Sequence, residues 1–151
     1  DASQHGGFAL FVAAVHGYVL GGGCNMAVSS DLVVAGESAI FGYPEVKVGL
    51  AASAVAPPIV HQIGYKAAFE LLTLCENIPA ARALELGMIN RVVPDAELAE
   101  RTMAMAEQLA GFDNDALWMT KQTIRRAASM PLRPALEMAR DIGLVMKIYE
   151  D

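Results

Sequence analysis

Long apolar runs are missing from this sequence. No stretch reaches the roughly eighteen residues that a membrane-spanning helix requires, so no membrane span is expected. Positive charge is scarce as well: 11 Lys and Arg stand against 17 Asp and Glu, a net charge of −6. No basic stripe is available to neutralise phosphates, which argues against nucleic acid, and the same sign is repelled by an anionic membrane surface. Cysteine is limited to Cys24 and Cys75, which match no metal-ligand spacing. A bridge between them is open on sequence grounds, but two buried thiols in a reducing cytoplasm is the simpler reading. Internal repeats and low-complexity tracts are absent. The first residues, Asp1-Ala2-Ser3-Gln4-His5-Gly6-Gly7, carry neither an initiator Met nor a basic stretch. They are expected to be the edge of a longer chain rather than a signal peptide.

What is present is apolar. Such residues make up 54% of the 151, and charged residues 19%. The length suits one domain with a sizeable core, and the apolar surplus implies surface meant for a partner or for further chain. Ala9 to Val15 is a short apolar run of the kind buried on both faces of a sheet. Gly21-Gly22-Gly23 follows, then a short helix over Cys24 to Ser30 and a second buried strand, Leu32 to Ala35. Ile40 to Glu45 reads as extended. From Pro57 the pattern turns helical, with helices over Pro57 to Gly64, Tyr65 to Cys75 and Pro79 to Glu85. Met88 to Val93 is a strand stopped by Pro94. Asp95 is expected to cap a long helix to Leu109, Asn114 the next, and Pro131 opens the last. The expected organisation is a partial core over 1–78 and a helical, oligomerising part of the same domain over 79–151.

The glycine run between a strand and a helix is the most informative local feature. It places unpaired backbone N–H groups at the positive end of a helix, where an anion or a developing negative charge is stabilised. Dinucleotide binding is one reading, with Gly21-x-Gly23 and Glu37 near the end of the next strand. Met26 occupies the third glycine position of that fingerprint, which weakens it. An esterase is another, from His5-Gly6-Gly7, but Gly36-Glu37-Ser38-Ala39-Ile40 lacks the last glycine of a nucleophile elbow. The bland alternative is a tight turn without chemistry.

A longer ordered series of residues carries a third reading. Ala13-Ala14-Val15-His16-Gly17-Tyr18-Val19-Leu20-Gly21-Gly22-Gly23-Cys24-Asn25-Met26-Ala27 resembles the strand–loop–helix segment of the enoyl-CoA hydratase/isomerase (crotonase) family. The resemblance continues through Ser30-Asp31-Leu32, Ala35-Gly36, Phe41-Gly42, Pro44-Glu45 and Gly49-Leu50. It returns in Ala83-Leu84-Glu85-Leu86-Gly87-Met88-Ile89-Asn90-Arg91-Val92-Val93-Pro94. It covers nearly everything after residue 9, in order and almost without gaps. It implies an α/β fold of the spiral ββα crotonase style, the middle and carboxy-terminal part of the family's chain, with helices that drive trimer or hexamer formation in relatives.

The same resemblance implies a chemistry. An acyl-CoA substrate, carrying its own CoA and needing no further cofactor or metal, would lie against Leu20, Gly21, Gly22 and Leu50. The Gly22 N–H would be one of two donors to the thioester oxygen, the other belonging to a loop upstream of these residues. Glu45 falls on one of the two glutamates that serve hydratases as general acid and base. Asn25 falls on the other, and an amide cannot accept a proton at pH 7. Relatives often carry a Pro-Gly-Ala-Gly-Gly-type loop where this chain has Ala51 to Pro58, so specificity is expected to differ. The competing expectation is a non-catalytic CoA-binding or assembly fragment. His16 and His61 are expected to be structural, with the His16 ring packed against the strand end. Met103, Met105, Met138 and Met146 are expected to fill core or interface. Lys121, Arg125 and Arg126 form a small basic cluster, equally suited to CoA phosphates or to a solvated helix face.

Overall fold

The computed structural model describes residues 9–148, and side chains through residue 145. Two compact units divide the chain, one over residues 9–106 and one from 107 onward. His5-Gly6-Gly7 and the Met146 side chain lie outside the described residues.

The first unit is built by a repeated β-β-α step. Strands β1 (Val12–Val15) and β2 (Tyr18–Leu20) lead into helix α1 (Gly21–Val28), and β3 (Leu32–Gly36) and β4 (Ile40–Gly42) follow. The first strand of each step enters one sheet and the second strand enters another. β1 pairs in parallel with β3, placing Val12 opposite Leu32. β2 pairs in parallel with β4, placing Tyr18 opposite Ile40. A helical crossover between parallel strands is the connection such pairing demands. Each sheet takes a third strand from later in the chain: β6 (Arg91–Val93) lies parallel to β3, and β5 (Ile78–Pro79) antiparallel to β4. Residues on both sides of Pro79 therefore belong to the same two sheets. This is the spiral ββα architecture of the crotonase fold.

The remaining elements of this unit are a 3₁₀ turn over Glu45–Val48, helices α2 (Ala56–Ile63), α3 (Tyr65–Leu74) and α4 (Ala80–Glu85), and a 3₁₀ turn over Asp95–Glu97. Helix α5 (Leu98–Ala110) runs across the boundary between the units. Gly64 both ends α2, donating to the Val60 carbonyl at 3.0 Å, and opens α3, accepting from the Ala68 N–H at 3.0 Å. The core gathers Phe41, Tyr43, Ile59, Met88, Val33, Val34, Cys24 and Cys75, all fully buried. Each large apolar side chain there contributes about 1.5–3 kcal/mol by leaving water. Both cysteines are free thiols.

The second unit contains α6 (Asn114–Ala127) and α7 (Leu132–Ile148), which pack on each other.

Several local expectations are corrected. Residues Ala9 to Val15 are not buried on both faces: the strand is Val12–Val15, none of it fully buried, because β1 has β3 as its neighbour on one side alone among the described residues. The short helix starts at Gly21 rather than Cys24, so the glycines are its first turn, not a loop before it. Asp95 does not cap α5. It begins a 3₁₀ turn, and its carboxylate accepts the Ser38 N–H at 3.2 Å. The cap of α6 is Asp113, which accepts the Ala116 N–H at 2.7 Å, and Asn114 is the first helical residue.

Candidate active site

Helix α1 enters directly from β2. Its N-cap is Leu20, in extended conformation, whose apolar side chain makes no capping hydrogen bond, and its first turn holds no acidic residue. The N–H groups of that turn have no intrahelical partner by position, and the positive end of the helix meets no carboxylate of its own. Gly22 is the second residue of this turn. Side-chain positions at Gly22 and Gly23 are open, with nothing within 4 Å.

Gly21 is different. Its φ of +52° is left-handed, and a Cβ there would lie 3.3 Å from Glu45 Oε1. Backbone conformation and space thus select glycine together. The same contact fixes where Glu45 is: its carboxylate rests on the first residue of the glycine-headed turn. Glu45 is not in an extended segment. The strand ends at Gly42, Pro44 takes φ −84° and ψ 5°, and Glu45 starts the 3₁₀ turn. The Leu50 N–H donates to the Glu45 carbonyl at 3.0 Å, closing the turn, while the Leu50 side chain is 62% exposed.

Asn25 lies four residues after Gly21, one helical turn onward on the same face. It is half-buried, and its side chain slants back toward the helix start, as all helical side chains do. Next to it Cys24 is fully buried. Burial pushes the Cys24 thiol above its ordinary range; the Tyr43 side chain and the Gly42 backbone work against that, and the Glu45 charge adds to it. Burial likewise raises the Tyr43 phenol well above its ordinary value, with Cys24 and Glu45 acting in the same direction. Tyr43 is the residue that sequence reasoning passed over. The available signal was a tyrosine inside a buried apolar segment, where the hydroxyl of a buried ring needs a partner.

The other candidates have plain surroundings. Met26 is 77% exposed, so it does not stand between α1 and the strands. His16 is exposed in the turn between β1 and β2 rather than packed against a strand end, and its nearby charge helps lower the Asp95 carboxyl. His61 is exposed on α2. Met105 and Met138 are half-buried, and Met103 is exposed. Arg125 and Arg126 occupy the last turn of α6 and are exposed, with Lys121 half-buried one turn earlier. Among the described residues no three His, Cys, Asp or Glu side chains are grouped to hold a metal, and no helix is long and apolar enough to cross a membrane.

Residues 8–146 match the enoyl-CoA hydratase/isomerase family. A probable mitochondrial enoyl-CoA hydratase of Dictyostelium discoideum is 34% identical over 130 residues, 85% of this chain and 47% of the relative. The 2,3-dehydroadipyl-CoA hydratase of Escherichia coli K12 is 32% identical over 141 residues, 93% of this chain and 55% of the relative. Among solved structures, enoyl-CoA hydratase subunit I of Geobacillus kaustophilus HTA426 superposes with a TM-score of 0.88 at 36% identity. That likeness covers 94% of this chain and 56% of the other. The chain spans about half the length of the curated relatives it matches.

Proposed function

Because the chain belongs to the enoyl-CoA hydratase/isomerase family, we propose that it acts on acyl-CoA thioesters by moving a proton at the carbon beside the thioester carbonyl. The Gly22 N–H receives the thioester oxygen as negative charge develops on it, at the start of a helix whose own first turn holds no acidic residue. Glu45 takes and returns the proton. Leu20, Gly21 and Leu50 line the substrate's path. The observation that carries this reading is the packing of Glu45 against Gly21, which sets the carboxylate beside the first turn of α1.

Asn25 decides which reaction is favoured. Hydration by two carboxylates uses one to activate water and the other to deliver a proton to carbon. With an amide at position 25, one carboxylate would serve both steps. Shifting a proton between two carbons needs one carboxylate. The proposed activity is therefore isomerase-type proton transfer in preference to hydration of simple enoyl-CoAs.

The test is deuterium uptake at carbon 2 of a saturated acyl-CoA in D₂O, followed by mass spectrometry. The natural protein incorporates deuterium, and Glu45→Gln slows incorporation by roughly 10²–10⁴-fold. An equal rate in both proteins would contradict the Glu45 assignment, and no uptake by the natural protein would favour the non-catalytic CoA-binding or assembly reading, which the amide at position 25 supports.

A homotrimer or hexamer built through the carboxy-terminal helices is part of the same proposal. Leu132, Leu136, Leu144 and Val145 on α7 are exposed apolar side chains, more than a monomer surface normally leaves in water along one helix. Light scattering at micromolar concentration should give a multiple of the monomer mass; a monomer would contradict it. The free state of both thiols accords with a cytoplasmic location.

A further inference from the structure

Two fully buried side chains with titratable groups have no part in the proposed proton transfer: the Cys24 thiol and the Tyr43 phenol. The fold brings them together from two sides. Leu20 lies opposite Gly42 in the paired strands β2 and β4, and α1 and the Tyr43-Pro44-Glu45 segment both leave from there. Gly21 and Cys24, three residues apart, share one face of α1. A Cβ on Gly21 would lie 3.3 Å from Glu45 Oε1 and 3.8 Å from Pro44 Cδ, so that face looks onto the segment. Tyr43, the residue before Pro44, meets Cys24 there. Its hydroxyl finds no nitrogen or oxygen partner and lies against the thiol, which the Gly42 backbone also bonds.

Of the two groups the phenol O–H is the stronger donor, and sulfur is a weak acceptor. A buried hydroxyl that has given up water costs free energy unless it finds such an acceptor. We propose that Tyr43 and Cys24 are a pair of positioning residues: the phenol, donating to the thiol, ties the Glu45 segment to α1 and so fixes the Glu45 carboxylate relative to the Gly22 N–H. β4 ends at Gly42 and Pro44 has no N–H to give, so a side-chain tie stands where a backbone one is missing. Burial keeps both groups protonated around neutral pH, and the tie therefore adds no second charge beside Glu45. Its leverage is geometric, since a displacement of about 1 Å at a reacting group costs on the order of 10²-fold in rate. The function of the tie rests on the proton-transfer reading; its existence does not.

The experiment measures deuterium uptake and urea unfolding for Tyr43→Phe, Cys24→Ala, Cys24→Ser and the double variant of Tyr43→Phe with Cys24→Ala. Each of the first two should lower kcat on the order of 10- to 100-fold while KM stays within about twofold. The double variant should be no slower than the slower single one, because both remove the same bond. Cys24→Ser, whose hydroxyl still accepts from the phenol, should keep most of the rate that Cys24→Ala loses. Additive losses in kcat, a full rate in Tyr43→Phe, or equal losses in Cys24→Ser and Cys24→Ala would overturn the proposal. If the natural protein takes up no deuterium, the proton-transfer reading fails by itself and unfolding decides the tie. A non-additive loss of stability in the double variant then supports it, and additive losses remove it.

Discussion

Gly21 is where sequence, conformation and chemistry meet in one residue. Its left-handed backbone would cost a side chain about 1–2 kcal/mol, and its missing Cβ leaves the room in which Glu45 Oε1 sits. Gly21→Ala should therefore lower unfolding free energy by at least that amount and reduce turnover by displacing the carboxylate. Gly22→Ala meets open space, keeps the N–H, and should change stability by less than about 0.5 kcal/mol. Urea unfolding of the two variants checks the contrast; equal losses would contradict both the backbone and the crowding account of Gly21. Asp95 offers a second residue-scale test. Hydrogen bonds from the Ser38 hydroxyl and N–H hold its carboxyl below the ordinary range, with a smaller contribution from His16. A depressed folded-state value contributes stability above the unfolded-state value, about pH 4, and loses it as pH falls through the folded one. Asp95→Asn should thus be less stable than the natural protein at neutral pH, and the gap should close below about pH 4. A gap that stays constant down to pH 2.5 would contradict the hydrogen-bond account.

At the scale of elements, what could be read from the sequence was whatever local chemistry decides. The strand–glycine–helix order, the buried strand at Leu32 to Ala35, and the helices bounded by Pro57, Gly64 and Gly87 follow from backbone preferences and periodicity. Features set by distant partners were not legible. β1 looks like a buried strand by composition, yet its burial depends on having a neighbour on both edges. Asp95 has the right type and place for a helix cap, but the Ser38 N–H, 57 residues away in sequence, takes its carboxylate. At α6 the expected cap, Asn114, and the observed one, Asp113, are adjacent and differ only in which side chain reaches a free N–H, and that distance cannot be read from residue type. Asp113→Ala should lower stability by about 0.5–2 kcal/mol, measured by urea unfolding, while Asn114→Ala should change it little. A larger loss at Asn114 would reverse the assignment. From the sequence the candidate site could be named as a set of residues, through the family resemblance at Gly22, Asn25 and Glu45. Its local form could not, because Glu45 turns into a 3₁₀ element only after Pro44 ends the extended path.

At the scale of the molecule, the β-β-α spiral does the positioning. Two strands feed the two sheets on each pass, so β2 and β4 lie side by side. The segments that follow them, α1 and the Glu45 turn, emerge from the same end of one sheet, since the paired strands are parallel and both segments follow their carboxyl ends. That is why residues 24 positions apart in sequence meet at Gly21 and Glu45. The central claim is that this meeting place has one catalytic carboxylate, Glu45, where a two-carboxylate site would have two. The most direct measurement compares the natural protein with Asn25→Glu on crotonyl-CoA and on a 3-enoyl-CoA. The account predicts that the natural protein isomerises the 3-enoyl substrate faster than it hydrates crotonyl-CoA, and that Asn25→Glu raises hydration by roughly 10²-fold or more. Rapid hydration by the natural protein, with nothing gained from Asn25→Glu, would contradict it.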